Sequence, residues 1–254
     1  MVERSGGRSV KVPEVTLAFW IIKVAATTLG ETGGDAVSMS LGLGYLLSTA
    51  IFAAVIAVAV LAQMKAQGHH PWLYWATIIA TTTVGTTLAD LCDRSLGIGY
   101  AGGSAILLVL LLGCLYAWYR VQGTVSVGSV DSPRSELFYW VTILFSQTLG
   151  TALGDWTADE VGLGLGYRGS ALLFGGLLAL VAIAFRWTQL PRTALFWTAF
   201  ILTRPLGAVV GDYFDKPVAD GGLGVSRAAA SLGLLALMAI CILVFPKRAA
   251  RNAH

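Results

Sequence analysis

The sequence has little charge and few of the residues that build soluble domains or compact metal sites. Only 12% of its 254 residues are charged, 56% are hydrophobic, and the mean hydropathy is +0.73. Soluble domains average about 25% charged residues, so composition excludes an ordinary soluble domain. The three cysteines lack CxxC spacing, which argues against a disulfide framework and against a zinc site.

Motifs for several kinds of chemistry are also missing. The sequence contains no P-loop and no recognisable set of nucleophile, base and oxyanion donors. We therefore expect neither an enzyme nor an ATP-driven pump, and no cofactor. Nothing in the sequence indicates a nucleic-acid partner, and the expected partner is the lipid bilayer.

Apolar runs of about twenty residues dominate what is present, and each is long enough to cross a hydrocarbon core of roughly 30 Å as a helix. They lie near residues 14–36, 43–64, 72–92, 99–120, 136–157, 166–187, 193–214 and 223–245. These runs predict an all-α integral membrane protein with eight transmembrane helices in a single membrane domain, residues 1–254. The first run carries Lys23, Glu31 and Asp35 and lacks a small-residue cleavage site, so no cleaved signal peptide is expected.

A fourfold internal repeat organises these runs. Each copy has a tryptophan, a glycine ten residues later and an aspartate fifteen residues later. The tryptophans are Trp20, Trp75, Trp140 and Trp197, and the aspartates are Asp35, Asp90, Asp155 and Asp212. A Leu-Gly-x-Gly-Tyr motif follows at residues 41–45, 96–100 and 163–167, with a degenerate form at 223–226. We predict four tandem two-helix units, at approximately residues 11–68, 69–123, 132–189 and 190–246.

Two uses of the motif glycines are open: a tight turn or close helix approach, and a selectivity filter. Two helices per copy make the repeats parallel, so all four aspartates face one side of the membrane. Eleven basic residues lie at the ends and between copies, against four in the turns within copies. This distribution predicts a multi-pass protein of the inner membrane with both termini in the cytoplasm. Trp72, Trp118 and Trp187 are expected in an interfacial aromatic belt.

Positions four residues apart share one face of a helix, and on this basis the first helix of each copy carries a polar stripe. The stripes comprise Lys23, Thr27, Glu31 and Asp35; Ile78, Thr82, Thr86 and Asp90; Ile143, Gln147, Thr151 and Asp155; and Phe200, Arg204, Ala208 and Asp212. A charge near the bilayer centre costs roughly 3 kcal/mol or more, so these stripes should face one another or water.

Charge and ligand type suggest a use for this interior. Four aspartates and Glu31 face only Lys23 and Arg204, a formal excess of three negative charges. Protonation, water or bound cations would relieve this excess, and carboxylate oxygens suit hard divalent ions and manganese. The candidate metal ligands are Glu31, Asp35, Asp90, Asp155 and Asp212. The candidate transport pathway comprises Lys23, Thr27, Thr82, Thr86, Gln147, Thr151 and Arg204.

Several of these residues could instead have purely structural roles. The aspartates could instead bind turn amides and only fix the repeat geometry. Lys23 could compete with a substrate cation or pair with a carboxylate of another helix. Arg204 precedes Pro205, and its guanidinium could satisfy the carbonyls that a proline kink frees.

The repeated pattern from about Lys11 to Phe245 resembles a bacterial four-repeat membrane-protein family known as a repeat of unknown function. That resemblance implies the fold and no activity. Residues 31–35 also resemble the Glu-x-Gly-Asp motifs of a family of manganese and calcium exchangers. Two residues separate Thr32 from Asp35 here, and the following basic residue of that motif is absent.

Three hypotheses follow. The first is a secondary transporter that couples a divalent cation such as manganese to protons, with the cation bound as substrate. The second is a cation channel lined by four similar helices, although Lys23, Arg204 and Pro205 break fourfold symmetry. The third is a non-transporting scaffold or sensor with structural aspartates. A homo-oligomer is compatible with each of them.

Overall fold

Eight α-helices form the part of the chain that the computed structural model describes, residues 10–245 and 248–250. They are α1 (Leu17–Asp35), α2 (Gly44–Lys65), α3 (Pro71–Asp90), α4 (Tyr100–Gln122), α5 (Pro133–Ala158), α6 (Gly166–Trp187), α7 (Arg192–Asp215) and α8 (Arg227–Val244). Each helix matches a predicted apolar run to within a few residues. The three cysteines are free, as expected.

Six of these helices, α2 and α4 to α8, are long and apolar enough to cross a membrane. The other two, α1 and α3, do not reach the same mean hydropathy over a full span. Helix α3 contains six threonines as well as Asp90, and α1 contains Lys23, Glu31 and Asp35. The structure therefore confirms an all-α protein of membrane type.

The helices form two concentric rings. The first helices of the four repeats, α1, α3, α5 and α7, make a closed inner ring in which each contacts two neighbours. The second helices lie outside, where α2 packs on α3, α4 on α5, α6 on α7, and α8 closes the circle on α1. In the most apolar stretch of each outer helix only 6–22% of residues are buried, against 67% in α5 and α7. The outer helices therefore present the apolar surface that suits lipid.

Close approach of the inner helices depends on the glycine ten residues after each repeat tryptophan. A Cβ atom on Gly85 would lie 3.0 Å from the backbone carbonyl carbon of Gln147, and one on Gly207 would lie 2.9 Å from that of Thr27. Gly30 and Gly150 approach the corresponding positions of the next helix, Thr82 and Arg204. Each of these four glycines thus packs against the residue that lies seven positions after the tryptophan of the next repeat. The contact between Gly207 and Thr27 closes the ring.

The Leu-Gly-x-Gly motif makes the turn between the two helices of a repeat. Its glycines have positive φ angles, for example +68° at Gly42 and +71° at Gly44, which residues with a Cβ rarely adopt. Copies two and three repeat this pair, whereas copy four keeps only Gly224 and has Ser226 in the second position. The turn interpretation of these glycines is therefore correct.

Aromatic side chains seal the inner ring at the end where the first helices begin. The residue before each repeat tryptophan contacts the tryptophan of the next repeat. The ring-centroid distances are 5.4 Å for Phe19 and Trp75, 5.8 Å for Tyr74 and Trp140, 6.2 Å for Tyr139 and Trp197, and 5.7 Å for Phe196 and Trp20. We call these eight residues the aromatic layer.

One expectation about the aromatic belt is wrong. Trp72 and Trp187 are exposed, as an interfacial belt requires, but Trp118 is completely buried. Its ring packs edge-on against Trp197, with 5.9 Å between centroids. Trp118 therefore joins an outer helix to the inner ring instead of facing the membrane interface.

Candidate cation site

The predicted polar stripes converge inside the inner ring. None of their sixteen residues is more than 6% exposed. Counting from the aromatic layer, successive turns form four layers, each named after one member. The lysine layer is Lys23, Ile78, Ile143 and Phe200; the arginine layer is Thr27, Thr82, Gln147 and Arg204; the glutamate layer is Glu31, Thr86, Thr151 and Ala208; the aspartate layer is Asp35, Asp90, Asp155 and Asp212.

Two cations bridge the aspartate layer in pairs. Lys216 Nζ lies 2.5 Å from Asp35 Oδ2 and 3.0 Å from Asp212 Oδ1. Arg94 Nε lies 2.9 Å from Asp90 Oδ1, and its Nη2 lies 3.3 Å from Asp155 Oδ2. In both bridges the cation follows the aspartate of its own repeat by four residues and reaches the aspartate of the next repeat. The layer therefore has twofold pseudosymmetry, with repeats one and two equivalent to repeats three and four.

These bridges correct the predicted charge of the interior. Arg94 and Lys216 are two of the four basic residues in the turns within copies, and from the sequence they supported only the predicted topology. With both included, five carboxylates face four cations, and the formal excess is one negative charge instead of three. Both cations could have been predicted from the sequence, because one more helical turn along each polar stripe leads to Arg94 in copy two and to Lys216 in copy four.

The last residue of the Leu-Gly-x-Gly-Tyr motif lies within electrostatic range of the aspartate layer. Tyr45, Tyr100 and Tyr167 interact electrostatically with the aspartates of the next repeats, Asp90, Asp155 and Asp212 respectively. In the degenerate fourth copy the equivalent position is Arg227, whose Nε lies 3.9 Å from Asp35 Oδ2 and 2.8 Å from Asp215 Oδ2. A third cation that the sequence analysis did not assign to the site thus reaches Asp35.

Arg204 of the arginine layer reaches into the glutamate layer and pairs with Glu31. Arg204 Nη2 donates to Glu31 Oε2 at 2.9 Å, to Thr86 Oγ1 at 2.6 Å and to Thr151 Oγ1. Four inner helices therefore meet in one hydrogen-bond network. The alternative in which Arg204 satisfies carbonyls freed by Pro205 is wrong, because these hydrogen bonds go to side chains of the other three inner helices.

Three carboxylates approach one another closely enough to share one cation. Ligand oxygens of Glu31, Asp35 and Asp212 all lie within 4.8 Å of one another, and all three residues are buried. Asp35 Oδ1 is buried and accepts no hydrogen bond. Asp90 and Asp155 do not belong to this group, so among the described residues the structure brings three of the five predicted ligands together.

Lys216 holds its proton at this position. Burial by itself would lower the pKa of Lys216, but the carboxylates of Asp212, Asp35 and Asp215 outweigh it and raise the pKa above the ordinary lysine range. A raised pKa means that the ammonium stabilises the fold below the ordinary lysine pKa, and that this contribution is lost only as the pH rises through the folded-state value. Lys216 is therefore a full positive charge at neutral pH.

Lys23 and Gln147 lie deeper, between this network and the aromatic layer. Lys23 Nζ and both polar atoms of the Gln147 amide are buried without a hydrogen-bond partner. Within the described chain Lys23 forms no ion pair, so the predicted pairing with a carboxylate is wrong. Its Nζ instead lies 4.1 Å from the centroid of the Phe200 ring.

Comparison with known proteins supports the fourfold repeat and does not indicate an activity or a substrate. Four segments, residues 18–69, 73–124, 138–190 and 195–248, match the family model described as Repeat of Unknown Function (DUF347). No curated protein and no solved structure matches the chain. Since the four matched segments span most of the sequence and coincide with the four two-helix units, the protein belongs to this Repeat of Unknown Function family.

Proposed function

We propose that the protein is a proton-coupled secondary transporter for a divalent cation such as Mn²⁺, and that the cation binds to Glu31, Asp35 and Asp212. The observation that carries this proposal is the approach of these three buried carboxylates from two helices to within 4.8 Å. Hard divalent cations and manganese prefer oxygen ligands. Burying three carboxylates together is costly unless positive charge meets them. Arg204 and Lys216 supply that charge in the structure, and a substrate cation would take the place of Lys216.

The difference between the two bridges supports the choice of this corner. Arg94 presents a planar guanidinium to Asp90 and Asp155, and arginine keeps its charge and suits paired carboxylates. Lys216 presents a compact ammonium on a flexible stem to Asp35 and Asp212. In our proposal the Arg94 bridge is structural, whereas Lys216 is a tethered cation that leaves when the substrate arrives.

A transporter is favoured over a channel because the interior is closed. The side chains of the four layers are almost completely buried, and the aromatic layer caps one end. A static pore would need a continuous opening along the stripe. Movement of one repeat pair against the other, as the twofold pseudosymmetry suggests, would open the site to alternate sides.

We further propose that all eight helices cross the inner membrane, with both termini in the cytoplasm. Helices α1 and α3 are too polar to be recognised as spans alone, but the inner ring shields their polar faces. In a cysteine-free background, Lys65→Cys should react with a membrane-impermeant maleimide only after the cells are opened, whereas Asp220→Cys should react in spheroplasts. Labelling of both positions from the same side would contradict this topology.

Flux measurements test the proposed transport directly. In proteoliposomes we expect Mn²⁺ entry to accelerate when a pH gradient is imposed and to fall when the gradient is collapsed by an ionophore. Ca²⁺ and Mg²⁺ serve as competing ions. Movement of ions that is independent of the proton gradient would favour the channel, and absence of movement for all three ions would favour a scaffold whose carboxylates serve only Lys216, Arg94 and Arg204.

A further inference from the structure

Lys23 is a buried charged residue that takes part neither in the proposed cation site nor in the Arg94 bridge. Its side chain has no exposed surface, and its Nζ has neither a hydrogen bond nor an ion pair in the described part of the chain. The aromatic layer separates it from one end of the inner ring. The arginine layer separates it from the carboxylates.

Among the residues that the structure describes, Arg204 is the nearby charge that acts on Lys23. Helix α1 packs against α3, α7 and α8. From α7 come the Phe200 ring, 4.1 Å from Nζ, and the guanidinium of Arg204, whose charge acts on Lys23. In its own layer α3 presents Ile78; the ionisable residues of α3 are Tyr74, a turn away in the aromatic layer, and Asp90, three turns away. The only ionisable side chains on α8 are Arg227, at the opposite end, and Cys241.

An ammonium is poorly stabilised in these surroundings. Burial without hydrogen bonds removes hydration, a phenyl ring returns only about 2 kcal/mol or slightly more, and Arg204 repels a second positive charge. A lysine at such a place exchanges its proton readily when a neighbouring charge changes, whereas an arginine would not.

We propose that Lys23 carries the coupled proton and that Arg204 links it to the cation site. This inference rests on the proposed transport function. With the site free of substrate, Glu31 neutralises Arg204, and Lys23 accepts a proton at its Nζ. When a cation binds Glu31, Arg204 loses its carboxylate partner, and its uncompensated charge drives the proton from Lys23.

In this step the N–H bond of the ammonium breaks, Nζ keeps the electron pair, and the proton leaves to water on the side to which the bundle is open. Arg204 stays charged throughout. The proton on Lys23 and the cation on Glu31 therefore exclude each other, which is the requirement for exchange of one for the other.

Proton release on Mn²⁺ binding tests this assignment. Purified protein in weakly buffered detergent, with a pH indicator, should release protons when Mn²⁺ is added, and Lys23→Met should bind Mn²⁺ while releasing about one proton fewer per ion. In proteoliposomes the same variant should still move Mn²⁺ but should no longer respond to a pH gradient. Lys23→Arg, which keeps its charge, should bind Mn²⁺ at least about tenfold more weakly. Lys65→Met, at an exposed position, is the control and should match the wild type.

Stability provides a readout that needs no substrate. Because Lys23→Met removes a buried group without a partner, it should raise the thermal midpoint at pH 7, and the gain should shrink toward pH 10. An unchanged proton count with normal Mn²⁺ binding would overturn the role of Lys23 and leave the transport proposal intact. Failure of the wild type to bind Mn²⁺, Ca²⁺ or Mg²⁺ would remove the transport proposal and this inference with it. A wild-type stability that depends on chloride, at constant ionic strength and only when Lys23 is present, would show a bound anion and also overturn the proton role.

Discussion

Replacing Asp35 with Asn should lower Mn²⁺ flux by more than the roughly 10–100-fold that the loss of an outer-shell partner typically costs. The substitution keeps the shape of the side chain but removes one of three charges from the proposed site. It also leaves Lys216 beside Asp212, where its Nζ lies 3.0 Å from Oδ1. Initial rates of Mn²⁺ uptake into proteoliposomes provide the measurement.

Asp155→Asn is the matched control, because twofold pseudosymmetry makes Asp155 the counterpart of Asp35. It leaves Arg94 paired with Asp90 and should retain most of the flux. Equal loss in both variants, with both proteins folded, would contradict the assignment of the cation site to one corner.

Replacing Lys216 with Met should tighten the binding of Mn²⁺ measured in detergent, because it removes the ammonium that competes with the cation for Asp35 and Asp212.

Gly207→Val should destabilise the whole bundle by about 1–3 kcal/mol, the usual range for overpacking a well-packed interior. The added atoms would meet the backbone of Thr27, which lies 2.9 Å from the position of a Cβ, and a helix backbone cannot move aside as a flexible side chain can. This contact closes the inner ring between α7 and α1. Thermal unfolding in detergent, followed by circular dichroism, should show a midpoint several degrees below that of the wild type.

Gly176→Ala is the comparison for this effect. Gly176 lies on the outer helix α6, and a Cβ there would meet no atom within 4 Å. Its replacement should be neutral or slightly stabilising, because alanine favours a helix by up to about 1 kcal/mol over glycine. A midpoint for Gly207→Val equal to that of Gly176→Ala would show that the inner helices can separate without loss of stability.

The repeat generates four equivalent corners, and side-chain differences make one of them distinctive. Glu31 occurs in copy one where the other copies have Thr86, Thr151 and Ala208. Arg94 occurs in copy two and Lys216 in copy four, whereas the equivalent positions of copies one and three are Met39 and Asp159. Only the corner between α7 and α1 therefore combines Glu31, two aspartates and a lysine.

Repetition made much of the architecture predictable. The spacing of tryptophan, glycine and aspartate identified four units, and a period of four residues identified the buried face of each inner helix. The motif glycines of the turns were also readable, since few other residues adopt positive φ angles. These features depend on local geometry, which a sequence pattern records directly.

The partners of the charged residues were not predictable in the same way. One alternative from the sequence placed Arg204 at the carbonyls of its own helix, and one placed Lys23 beside a carboxylate. Instead, the side-chain hydrogen bonds of Arg204 reach α1, α3 and α5, and Lys23 lies against a phenyl ring. Long side chains can reach any of several neighbours, so helix order and spacing leave their partners undetermined.

The amino-acid sequence by itself determined that this is a four-repeat helical protein of membrane type with a polar, acidic interior, because composition and periodicity act within single helices. Only the tertiary structure decided that the inner helices close into a ring through α7 and α1, and that Asp35, Asp212 and Glu31 meet while Asp90 and Asp155 pair with Arg94. Contacts between residues as distant as Asp35 and Lys216 depend on how eight helices pack together, and no local pattern specifies that packing.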